Sequence, residues 1–175
     1  MEKLSRGKIY FIVVAAIAFV ALILVITTST ITYNNAKQAI ENIGVVGYSE
    51  KSKEKIDDAE NKFEQFQSTL GASTTFKVVN KNVGEEKLQK AKASYIEAAI
   101  RDVNNKVLSG AEEDEIKSEL KTIRETVDAY FANKDYSLIS NFATFTSLET
   151  KYGAGANSSE GSGSQGGAAE EPEIC

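Results

Sequence analysis

Residues 9–26 read IYFIVVAAIAFVALILVI, eighteen residues without a charge, and the uncharged TTSTITYNNA continues them up to Lys37. At about 1.5 Å of rise per helical residue, about 18–23 such residues cross the roughly 30 Å hydrocarbon core of a bilayer. The stretch predicts a transmembrane anchor. A cleaved signal peptide has an apolar core of only about 7–15 residues, ending at a small-residue site such as A-x-A. Here the run is longer and its exit, 27–32, is Thr/Ser-rich, so the anchor is expected to stay. Lys3, Arg6 and Lys8 precede the span, and positive residues remain on the cytoplasmic side. The short N-terminus is therefore expected inside the cell and residues from about 32 onward outside it.

Working outward, composition bounds the rest of the chain. Three basic side chains and one acidic one stand in the first 32 residues, leaving 17 basic against 24 acidic beyond, a net charge of −7. Phosphate neutralisation needs a basic surface, so nucleic acid is excluded as a partner. The chain has no His, which removes the commonest general base and metal ligand. It has a single cysteine, Cys175, which rules out an internal disulfide framework and makes that residue a candidate for an intermolecular disulfide and a homodimer.

The spacing of apolar residues predicts helices through residue 152. Ala36, Ala39, Ile40 and Ile43 extend the anchor helix until Gly44 and Gly47 break it. Between 49 and 70, Ile56, Ala59, Phe63, Phe66 and Leu70 share one helix face, with Ser49 or Ser52 as cap and Gly71 as stop. Residues 71–84 lose the pattern and read as a loop whose Phe76 and Val79 cover a bundle end. Leu88, Ala91, Tyr95, Ala99, Val103 and Val107 mark a long helix from Glu85, and Ile96 and Ile100 widen its stripe, so that it is expected to serve two bundles. Ser109 with Glu112 has the form of a capping box. Ile116, Leu120, Ile123, Val127 and Tyr130 mark the next helix. Leu138, Ile139, Phe142, Phe145, Leu148 and Tyr152 mark the last, expected to start at Asp135 or Ser137 and stop at Gly153. Phe142, Phe145 and Tyr152 read as core rather than as an aromatic binding stripe.

Two acidic pairs test for enzymatic or metal chemistry. Asp57 with Asp58 and Glu112 with Glu113 are helix neighbours that do not face each other, and general acid–base work needs a sheltered pair. The run from Glu112 to Glu115 lacks calcium-loop spacing and suits the first turn of a helix. No catalytic residue, cofactor site or metal site is assigned. From Gly153 the Gly/Ser-rich tail, with four glutamates and no basic residue, is expected to be disordered. Within it, Asn157-Ser158-Ser159 matches the N-glycosylation triplet.

The run Ile40, Ile43, Gly44, Val46, Tyr48, Glu50, Ser52, Lys53, Lys55, Ile56, Ala59 and Phe63 resembles the opening of helical modules repeated in Gram-positive cell-surface proteins. Leu138, Ile139, Asn141, Phe142, Phe145, Glu149 and Tyr152 resemble the close of the same module. The resemblance implies three-helix bundles used as stalks or surface-binding units, the first over about 36–98 and the second over about 100–153, sharing the helix from Glu85. The chain departs from those modules by its long 71–84 loop and by lacking an L-P-x-T-G sorting motif. The expected architecture is all-α: residues 1–8 cytoplasmic, 9–31 transmembrane, 32–98 and 99–153 antiparallel helical modules, and 154–175 disordered tail. The expected function is an interaction or spacer unit anchored at a bacterial surface, with a protein or cell-wall partner. The alternative is an accessory subunit of a membrane complex, packing Ala15, Ala16, Ala18 and Ala21 against another helix. A pilin-like protein is a further one, since the Gly7-Lys8 junction resembles the processing site of type IV pilins, although Ile12 stands where they have glutamate.

Overall fold

The computed structural model describes residues 6–73 and 83–153, and the described residues are helical with turns between. The first helix, α1 (Arg6–Glu41), is one uninterrupted rod of 36 residues, about 54 Å long at the standard rise. Its first part is fully unburied, with apolar side chains such as Phe11, Ile17 and Phe19 facing outward. This helix is long and apolar enough to cross a membrane. Its outer part lies inside the protein core, where Ala36, Ala39 and Ile40 are buried; the helix ends at Glu41, and Ile43, expected to extend it, is buried from the turn that follows.

Between these parts lies the Thr-rich stretch, whose β-branched residues are mediocre helix formers. Thr30 donates its hydroxyl hydrogen bond to the Ile26 carbonyl at 2.8 Å and Thr32 to that of Thr28 at 3.0 Å. Those bonds satisfy the hydroxyls without breaking the helix. Buried Ser29 accepts a hydrogen bond from the Gly71 backbone N–H at 3.0 Å. The foot of the next helix is thereby fixed just beyond the apolar run.

The second helix, α2 (Glu50–Gln67), runs antiparallel to the outer half of α1. Ser49 is its N-cap, accepting from the Ser52 N–H at 3.3 Å. Ile56, Ala59, Phe63 and Phe66 are buried as their spacing predicted, and Phe66 meets Tyr33 of α1 edge-on, with ring centroids 5.5 Å apart. Leu70 departs from the expectation. The helix stops at Gln67, short of Gly71, because Ser68 and Thr69 turn their hydroxyls onto the Gln65 and Phe66 carbonyls, both at 2.8 Å. Leu70 then falls in a turn and is 59% exposed. Phe76 and Val79 lie outside the described residues.

The third helix, α3 (Glu85–Ser109), is the shared element. It enters at Gly84, whose φ of +91° suits glycine, and where an added Cβ would stand 3.3 Å from the Ile40 Cγ2 atom. Its first half packs on α1 and α2: the Lys87 ammonium reaches the Glu41 carbonyl at 3.4 Å, and Lys92 pairs with Glu60. Its second half packs on α4 (Glu113–Tyr130) and α5 (Phe142–Tyr152), with Lys106 bonded to Glu115 and Glu119 of α4. Two three-helix layers thus share α3. Their buried residues form one continuous cluster.

Two local expectations are corrected. Ser109 is the last residue of α3, not a cap for α4, and its hydroxyl bonds back to the Lys106 carbonyl at 2.9 Å. Left-handed Gly110 ends α3, and α4 starts behind Glu112 with its dipole matched by Glu113, Asp114 and Glu115. The last helix begins at Phe142 rather than at Asp135 or Ser137. Asp135 instead caps a turn, accepting from the Ser137 N–H at 3.1 Å, and both the N–H and the hydroxyl of Ser140 donate to the Glu97 carboxylate at 2.7 and 2.6 Å. Leu138 is consequently 46% exposed, while Ile139, Phe145 and Leu148 are buried. Gly153, with φ +63°, ends α5 as expected.

Phe145 is fully buried, so Phe145→Ala is expected to lower stability by about 3–5 kcal/mol. Leu138→Ala should stay within about 0.5 kcal/mol, as surface substitutions do. Denaturant unfolding of the full chain in maltoside micelles, followed by far-ultraviolet circular dichroism, checks both.

Candidate functional site

Where the two layers meet, α2, α3 and α4 bring together side chains that lie far apart in sequence. Lys92, only 2% exposed, pairs with Glu60 and stands 5.0 Å above the Tyr130 ring. The Tyr130 hydroxyl donates to Asp57 at 2.7 Å, and the other oxygen of that carboxylate holds the Lys53 ammonium at 2.7 Å. Tyr95 bridges outward from Tyr130, 6.3 Å between ring centroids, to Tyr48 at 5.5 Å. A cleft of about 270 Å³ opens beside this chain of rings, lined among others by Tyr48, Glu50 and Lys53 from the α2 entry, Tyr95 and Ile96 from α3, and Ile123 from α4.

The phenols carry the mark of that setting. Burial pushes Tyr95 up to about 12, with Tyr48 and Glu50 adding to it. Tyr130 is raised as well, first by burial and then by its bond to the Asp57 carboxylate. For Tyr48 burial again leads, followed by the negative field of Glu119 and Asp102. Asp57 and Asp58 part company: Asp57 faces Tyr130 and Lys53, and Asp58 pairs with Lys62. Helix neighbours point to different partners, as their spacing required.

A second buried polar group lies in the outer layer. Arg124 grips Glu149 through both Nε and Nη2, raising the guanidinium pKa, and sits 4.8 Å from the Phe145 ring centroid. Phe142 and Tyr152 are partly buried against the core, and Phe145 fully, so the aromatic stripe is core. Lys92 and Arg124 were not singled out by sequence, and Glu149 entered only through the module resemblance, not as a buried partner. The signal was available: Lys92 lies four residues from both Leu88 and Ile96, Arg124 four from Leu120, and Glu149 four from Phe145, so each falls on the apolar face of its own helix.

Among the described residues no group of three His, Cys, Asp or Glu side chains is placed to hold a metal ion. Cys175, the sequence candidate for an intermolecular disulfide, lies outside the described residues, as do Asn157 and the rest of the tail. No family model, curated protein or solved structure matches the chain.

The raised phenols make the fold alkali-sensitive. An unfolded tyrosine ionises near pH 10, so the folded state resists ionisation of Tyr95 and Tyr130. Their stabilisation is whole below pH 10 and is lost as pH climbs through the folded values. Phenolate absorbance and circular dichroism recorded together should show a late-ionising class of tyrosines whose titration coincides with loss of helix. Tyr130→Phe should remove one member of that class and cost about 1.5–3 kcal/mol, the range of a hydrogen bond to a charged group.

Proposed function

We propose that this chain is a single-pass membrane protein with its N-terminus in the cytoplasm. Its paired helical layers stand on the outer face of a bacterial membrane as an interaction or spacer module. One observation supports this reading above the others: the apolar helix continues without a break into the core, so the segment that enters the bilayer is also a wall of the bundle. A removable leader would not share its helix with the fold. The α2 end is tied to Ser29, next to the apolar run, and α3 starts beside Ile40 and runs away from the membrane for about 37 Å more. This geometry holds a surface at fixed height.

Orientation follows from the basic residues ahead of the span. The acidic outer part favours a partner other than nucleic acid, and the resemblance to Gram-positive surface modules favours a protein or cell-wall polymer. Such modules stiffen and space, and their helices need no reacting group.

The lone cysteine supplies the test. In intact cells treated with reductant, a membrane-impermeant maleimide is expected to label Cys175, and the labelled protein should resist alkaline carbonate extraction from membranes. Labelling only after the cells are broken would reverse the orientation, and release by carbonate would remove the anchor.

A further inference from the structure

The junction cleft has features that packing alone does not use. Tyr95 is 5% exposed, yet its hydroxyl has no hydrogen-bond partner among the described residues, although it lines the cleft. A phenol so deeply placed usually finds one. Tyr48, whose ring lies 5.5 Å away, is 36% exposed at the cleft mouth and has no hydrogen-bond partner for its hydroxyl among the described residues. Two hydroxyls without a protein partner among the described residues thus open onto one cleft, where a donor on a ligand could meet both.

The charges around the cleft select its kind. Lys53 lines it but is neutralised by Asp57 at 2.7 Å, and Lys106 nearby is held by Glu115 and Glu119. Glu50 lines the cleft with no ion-pair partner among the described residues, and Glu119 and Asp102 add a negative field at Tyr48. Anions are therefore disfavoured. The two phenol rings offer electron-rich faces to a cation, and their oxygens accept from N–H donors. Ile96, Ala99 and Ile123 give the wall an apolar portion that matches methylene groups. At about 270 Å³ the space falls just under the roughly 300–1,000 Å³ of sites for drug-sized ligands. It suits one side chain or a small amine.

We infer that the cleft between Tyr48, Glu50 and Tyr95 binds a primary ammonium group on an aliphatic stem, the chemistry of a lysine side chain or a free alkylamine. The ammonium hydrogens go to the two phenol oxygens and the Glu50 carboxylate, and the stem lies along Ile96 and Ile123.

The test uses the full chain in maltoside micelles, which contain no ammonium group, with ¹³C-labelled tyrosine rings. Ring signals are assigned by their loss in Tyr48→Phe and Tyr95→Phe. The titrants are Nα-acetyl-lysine methylamide, its Nε-acetylated form and butylammonium chloride, at constant ionic strength. The Tyr48 and Tyr95 signals are expected to shift saturably with a charged ligand and not with the acetylated one. Whichever charged ligand saturates first identifies the source of the ammonium. Glu50→Gln, at an exposed position that leaves the core intact, should weaken binding by about tenfold, the size of one charge-assisted hydrogen bond. Tyr95→Phe should weaken it similarly with helix content unchanged. Equal shifts with the acetylated ligand, no shift with any ligand, or unchanged affinity in Glu50→Gln would overturn the assignment.

Discussion

The structure depends on α1 remaining one helix across the change from an uncovered apolar surface to one packed against protein. No glycine or proline interrupts it between Lys8 and Ile43, and the threonines at the crossing satisfy their hydroxyls on the helix's own carbonyls. Inside a bilayer every backbone polar group must be paired within the segment, which a helix alone achieves. Beyond the apolar run, α1 is supported by α2, which covers its Ala36, Ala39 and Ile40 face. The Ser29 to Gly71 hydrogen bond marks where the first kind of support gives way to the second. Everything further out is stacked on that pair: α3 leans on it through its first half, and α4 and α5 lean on the second half of α3.

Apolar spacing made the helices legible because each has one face turned to a continuous core. The buried faces of α2 and α4 follow the predicted residues, except Leu70, and the drift of the stripe along α3 from Leu88 to Val103 reflected two successive sets of neighbours. What escaped were features decided by tertiary partners. Residues 135–141 have apolar spacing suited to a helix, but Glu97 captures Ser140 and Asn141, and the chain turns instead. Ser109 fits a capping pattern, yet Gly110 stops the preceding helix one residue later. The junction cleft was invisible for a related reason. Tyr48, Tyr95 and Tyr130 each read as ordinary packing residues, and their convergence is set by how α2 and α4 meet across α3.

The buried charges give the two layers their register. Removing a charge from water is costly, and a paired burial is not by itself a large source of stability. Lys92 with Glu60 and Arg124 with Glu149 accept that cost only in one alignment, since sliding α3 along α2 or α5 along α4 by a turn would leave an ion stranded. Apolar stripes of near-heptad spacing would tolerate such a slip. Among the described residues each layer has such a pair, and Tyr130 of the outer layer meets the inner one through its ring, 5.0 Å from the Lys92 ammonium, while its hydroxyl bonds to Asp57 of α2.

The unbroken α1 also fixes compass bearing. In a straight helix each residue turns about 100° and rises about 1.5 Å, so the direction in which any face of the bundle looks is locked to the rotational phase of the apolar segment. Adding a single residue between Ile26 and Ser29 would barely change the distance to the bundle, but would swing its junction cleft by more than a quarter of a circle relative to the side chains of the apolar segment. A neighbour that grips the apolar segment therefore also dictates where the surfaces of the bundle point, and a rotation begun at one end of α1 arrives at the other as the same rotation.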